Sequence, residues 1–237
     1  TIEKEEESQW IGSKYNEITF DLAQLEEIDN ALISLKDKFP FQSECLRLML
    51  HTGMRGEECK KITRSMITED KLGNPVIELK RYIAKGRTHQ QQKDIIYDIT
   101  PPIRAVLDSL KAQLDKPEFK PYQFVPWLFP TTRISLEKLS NPDKYPNYAK
   151  SHNCRTKTLD DTFNAVRKIT HFEGSIKTLR KAFVGIANDT LGGAHKGKKI
   201  SKHKTEQINS GVYDKASRTD TKNMANKVGE VLSFKKG

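Results

Sequence analysis

Cysteine is scarce in these 237 residues: Cys45, Cys59 and Cys154 are the only three. They are scattered, odd in number, and form neither a CxxC pair nor a metal-ligand spacing. That excludes the disulfide framework of a small secreted domain and favours a reducing compartment. Long apolar runs are lacking too. None approaches the ~18 residues of a membrane span, and no signal peptide is present. There is no internal repeat. Acidic residues are outnumbered, 31 against 41 Lys and Arg, for a net charge of +10 and a pI near 9.4. The excess calls for an anionic partner, with nucleic acid first and an anionic membrane surface second. The length allows one large domain or two small ones and suffices for a core without staples.

Along the chain, an acidic run, EKEEES, opens residues 1–16 and reads as a solvated linker or the end of an interdomain helix. Asp21 is a good N-cap, and Leu22, Leu25, Ile28, Leu32 and Leu35 recur at helical spacing until Pro40. A second, buried helix carries Cys45, Leu46, Leu48, Met49 and Leu50, and Gly53 suits its C-terminus. A third helix is expected over Glu57 to Ile62. Val76–Leu79 and Asp94–Ile99 read as paired strands around a polar connection with Lys85-Gly86 as its turn. Pro101 and Pro102 open a helix with Ile103, Val106, Leu107, Leu110 and Leu114 on one face. Residues 116–157 read as mostly irregular, and a loop of that length is usually functional or disordered. Helices are expected at Leu159 to Ile169 and from Thr221 to Phe234.

The densest chemistry lies between Ser175 and Tyr213. Lys177 and Arg180 stand one helical turn apart, His203 follows, and Tyr213 comes ten residues later. A phenol is a potential nucleophile. Arginine forks bind phosphate oxygens bidentately and stay charged at any usable pH. Lys196, Lys198, Lys199, Lys202 and Lys204 look like a phosphate-contacting surface. A second arginine, Arg55, stands in HTGMRGEE with Glu58 three residues on. Glu58 has two structural readings: it orients Arg55, or it caps the next helix.

Thr52-Gly53-Met54-Arg55 with Glu58, Lys177-Thr178-Leu179-Arg180, and His203 with Tyr213 together resemble, in order and separation, the boxes of the tyrosine recombinase (phage integrase) family. The resemblance runs from about Phe20 to Asp214. It implies an α+β fold, mainly α-helical: a DNA breaking-rejoining catalytic domain with a small antiparallel β-sheet (hairpin) on one side. By the same resemblance, residues 1–17 are the linker from a missing N-terminal core-binding domain, 18–218 the catalytic domain and 219–237 a C-terminal tail helix. The chain is then the catalytic portion of a longer protein.

The roles implied follow the family. Arg55, Lys177 and Arg180 hold the scissile phosphate. Tyr213 attacks phosphorus to give a 3′-phosphotyrosyl link. His203 donates to a phosphate oxygen or helps deprotonate Tyr213. A hairpin lysine, Lys85 with Lys93 as the alternative, protonates the leaving 5′ oxygen. No metal, cofactor or ATP is called for. The implied partners are double-stranded DNA and further copies of the chain as a tetramer on DNA, in the cytoplasm at the nucleoid, with no membrane. The third box departs from the family's frequent Leu-Gly-His, since Lys202 precedes His203 and the LGG at Leu191 lies earlier. A non-cleaving DNA-binding relative and a relaxing type IB topoisomerase are the alternatives. In the tail, Ser217 and Asp220 can start a helix. Met224, Val228, Val231 and Leu232 then make one apolar stripe, which docks either on its own domain or, as in related recombinases, on a neighbouring protomer.

Overall fold

Pro40 ends one helix by starting the next. In the computed structural model, which describes residues 22–80, 94–192 and 218–234, helix α1 (Leu22–Ser34) stops short of it. Helix α2 (Pro40–Thr52) begins on it, where the missing N–H costs nothing. Asp21, expected to cap α1, lies outside the described residues.

α2 is the axle of the domain. It packs against α1, α3 (Gly56–Cys59), α4 (Pro101–Asp115), α6 (Asp160–Thr170) and α7 (Ile176–Leu191). All its residues but Gln42 are buried. A helix enclosed on every side cannot leave its charges in water, so they pair. Arg47 grips Asp29 of α1 through Nε and Nη2, at 2.8 and 3.1 Å, and gives Nη1 to Glu44 at 3.0 Å. His51 Nε2 sits 3.3 Å from the same Asp29 oxygen, and the Ser109 hydroxyl of α4 donates to Glu44 at 2.6 Å. Burial alone would raise the Asp29 carboxyl, but hydrogen bonds from His51 and Arg47, with their charge, outweigh it and hold it at about 2, below the ordinary 3.8.

A carboxyl depressed in the folded state stabilises the fold above its unfolded value. That contribution is lost as pH falls through the folded one. This group alone is expected to remove about 2 kcal/mol of stability between about pH 4 and pH 2. Denaturant melts across that range, set beside those of Asp29→Asn, check it: the variant should lack this part of the acid-dependent loss.

The sheet has three antiparallel strands in the order β1 (Ile67–Glu69), β2 (Pro75–Leu79), β3 (Ile95–Asp98). Ile77 pairs with Ile67 on one side and Tyr97 on the other. The β2–β3 pair follows the alternation of its apolar residues. β1 is an addition to the sequence reading. It is returned into β2 by Asp70, whose carboxylate accepts from the N–H groups of Leu72 and Asn74, both at 2.9 Å.

Two expectations need correction. The third helix does not run to Ile62 but ends at Cys59. Ile62 instead accepts a hydrogen bond from Leu128, and Thr63 bridges to Trp127, so the chain has left the helix to pair with a distant segment. That segment, 116–157, is irregular in outline but firmly built. It contains a 3₁₀ stretch, Pro117–Phe124, and helix α5 (Leu136–Ser140). It sends Val125, Leu128 and Phe129 into the core, and the Trp127 indole donates to Ser151. All three cysteines are buried free thiols, with Cys45 and Cys59 Sγ 3.5 Å apart.

The tail helix α8 (Arg218–Val231) docks on α7, α4 and β3 of its own chain. It starts earlier than expected, leaving Asp220 inside it and Ser217 just outside the described residues. Ala225, Val228 and Leu232 are buried and Met224 and Val231 partly so. Gly229 lies so close to Thr100 that a Cβ would fall 2.7 Å from the Thr100 Cβ. The Phe234 ring lies 5.9 Å from that of His51. The domain is thus mainly helical with a small antiparallel sheet, and no described helix is long and apolar enough to cross a membrane.

Candidate phosphate-binding site

The end of α2 is organised around Gly53. Thr52 Oγ1 donates back to Leu48 O at 2.6 Å and accepts from Met54 N–H at 3.1 Å, which folds the turn tightly. Gly53 caps α2 in the left-handed region, φ 64°, and its N–H closes on Met49 O. This region is costly for any residue with a Cβ. Space demands glycine as well, because a Cβ would lie 2.4 Å from the Phe183 ring of α7. Hence α7 approaches the end of α2 more closely than any other side chain would allow.

That approach brings the two arginines together. Arg180 stands one turn before Phe183 on α7 and gives Nη1 to the Gly53 carbonyl. Arg55 follows Gly53 by two residues and opens α3. Glu58 accepts from Arg55 Nη1 at 2.9 Å and from the Arg55 backbone N–H at 3.2 Å. Both structural roles read for Glu58 are therefore met at once: the carboxylate caps α3 and orients the guanidinium. Glu58 is almost fully buried, whereas the Arg55 side chain is 40 % exposed. Burial pushes the Arg180 guanidinium down, Arg55 adds to that, and Tyr97 and Glu58 oppose it.

The result is two guanidiniums against one carboxylate at a surface edge. One positive charge is left over, and donors face outward. A singly charged phosphodiester would balance it.

Lys177 is exposed on the first turn of α7, three residues before Arg180. Ser175 begins that helix, its N–H donating to Thr178 Oγ1 at 2.8 Å. Gly192, at φ 68°, ends it. Lys85, Lys93, His203, Tyr213 and the lysines at 196, 198, 199, 202 and 204 lie outside the described residues. The base of the β2–β3 hairpin is described, with Lys80 bridging Glu78 at 2.8 Å and Asp94 at 3.3 Å.

The sequence reading missed Tyr97. This residue of β3 is buried beside Arg180, within electrostatic reach of Arg55 and Glu58. Burial pushes its phenol up, as does Glu58, while the two arginines pull the other way. A signal was present: Tyr97 shares the inward face of its strand with Ile95, a position where a polar tip needs a reason. Compared with models of protein families, with curated proteins and with solved structures, the chain matches none.

Proposed function

We propose that this chain is the catalytic portion of a site-specific DNA recombinase of the tyrosine type, cleaving and rejoining DNA through a 3′-phosphotyrosyl intermediate. The observation that carries the reading is the meeting of Arg55 and Arg180 at Gly53, from positions far apart in the chain, with Glu58 orienting one of them. A phosphodiester gathers charge on its nonbridging oxygens as the pentacovalent state forms. Two arginine forks fixed before substrate arrives are suited to that charge, since they need no reorganisation at the moment of reaction. Lys177 adds a third cation at the same end of α7. Tyr213 supplies the nucleophile, the hairpin lysine, Lys85 or Lys93, protonates the leaving 5′ oxygen, and His203 assists at the phosphate. The bond energy is kept in the phosphotyrosyl link, so rejoining needs no ATP. Arginine and lysine provide the positive charge, so the reading requires no metal. DNA duplex is the substrate, copies of the same chain are its partners on that duplex, and α8 is the segment available to exchange between them.

The test is covalent capture. Nicked duplexes tiled from the DNA flanking the gene are incubated with the chain in EDTA and run on a denaturing gel. A slow-migrating protein–DNA adduct that maps to Tyr213 after proteolysis is expected. Absence of any adduct from folded protein across all tiles would leave a DNA-binding relative that does not cut. Dependence on a divalent ion would point to another enzyme class.

A further inference from the structure

Two guanidiniums held at one spot repel each other, and only one of them has a carboxylate as its partner. Glu58 serves Arg55. Arg180 is tied to the Gly53 carbonyl at one nitrogen, and a single hydrogen bond leaves a long side chain free to swing about it. The group on its other side is Tyr97. The ring is 5 % exposed and is packed from below by Phe183 and Val228. Its hydroxyl oxygen is fully buried and completes no hydrogen bond of good geometry, although the Arg180 guanidinium lies against it.

We propose that Tyr97 is a positioning residue: a neutral strut in β3 that fixes the plane of the Arg180 guanidinium. The inference rests on the phosphate-clamp reading of Arg55 and Arg180.

The chemistry favours a phenol here over the obvious alternatives. A carboxylate would hold Arg180 more strongly but would cancel its charge, leaving the pair with nothing to offer a phosphate. A phenylalanine would fill the space and hold nothing. A phenol kept neutral by burial and by Glu58 accepts from the guanidinium without neutralising it. A buried hydroxyl with incomplete hydrogen bonding is costly to maintain. It marks a place where the fold tolerates strain for a purpose, and a small rotation of the guanidinium on meeting an oxyanion would complete the bond. Since β3 is also the strand that follows the hairpin, the same residue sets where residues 81–93 depart relative to Arg180.

The full-length chain, labelled with ¹⁵N-arginine, tests this by the Arg180 Nε–H resonance, assigned through its loss in Arg180→Lys, during titration with inorganic phosphate. In Tyr97→Phe, inorganic phosphate is expected to bind about tenfold more weakly. The Arg180 resonance should broaden and exchange faster with water. The melting temperature should stay the same or rise, since a buried orphan hydroxyl is removed. Adduct formation on nicked DNA is expected to slow by about 10–100-fold with DNA affinity little changed.

An Arg180 signal and phosphate affinity equal to wild type would overturn the positioning role, whatever the protein does to DNA. If wild type forms no adduct while Tyr97→Phe still loosens Arg180, the recombinase reading falls and the strut stands. If wild type cleaves and the variant cleaves as fast, the strut alone is lost.

Discussion

Tyr213→Phe is expected to bind DNA as the wild-type chain does and to form no covalent adduct at all. The substitution removes one oxygen atom, and that oxygen makes the new bond to phosphorus. Six other tyrosines remain in the variant, so the experiment also asks whether any of them substitutes. Tyr97 and Tyr122 are buried, and burial pushes both phenols up, away from the nucleophilic phenolate. The measurement is adduct yield on nicked duplex beside an equilibrium binding curve at the same salt. An adduct of undiminished yield would move the nucleophile to another tyrosine. Loss of binding together with the adduct would show that the residue supports the fold or the DNA surface rather than the chemistry.

Arg180→Ala should slow cleavage by about 10²–10³-fold, the usual loss when one preorganised donor to a developing oxyanion is removed. DNA binding should fall much less, because each phosphate contact is a small share of a footprint spread over many lysines. Arg180→Lys should recover little: an ammonium keeps the charge but has no planar fork to span Gly53, Tyr97 and a phosphate oxygen together. The same reasoning applies to Arg55, whose loss also leaves the buried Glu58 without its partner. Arg55→Ala is therefore the variant in which a fall in stability must be separated from a fall in rate. Single-turnover cleavage rates with a melt on each sample separate them. An Arg180→Ala protein cleaving near the wild-type rate would end its assignment to the clamp.

Much of the frame could be read from residues alone, for identifiable reasons. α1 and α4 show long apolar periodicities bounded by proline. β2 and β3 alternate cleanly. Gly53 marks a helix end whose left-handed geometry no neighbouring residue type would suit. Arg55 and Arg180 were singled out separately and meet in space.

What escaped was set by partners distant in sequence. β1 has three residues, too few for a period to show. α3 is cut short because Ile62 and Thr63 pair with residues near Trp127, which no local pattern announces. Val125, Leu128 and Phe129 belong to the core without sitting on any regular element, so segment 116–157 looked looser than it is. Asp29 and Arg47 read as surface charges on two amphipathic helices. They are instead a buried pair, because α2 is covered on all sides. Tyr97 was passed over as one more apolar strand residue. The tail stripe was visible in sequence, but its partner was not: within one chain it covers α7, α4 and β3. Of the remaining candidate residues, Lys85, His203 and Tyr213 lie beyond what the structure describes.

The contact between Gly53 and Phe183 has a consequence for how the protein acquires its activity. The two halves of the arginine pair belong to segments made early and late during synthesis, and nothing local holds either in its working place. The end of α2 can form as soon as the first helices collapse, yet it remains half a clamp until α7 arrives and docks. Closing so long a stretch of chain comes late on any folding route, after the local contacts are made. A nascent or partly unfolded chain therefore carries a basic surface able to hold DNA but no means of straining its backbone. Competence to cut DNA then depends on completion of the fold, which protects a host genome from half-finished copies of the protein.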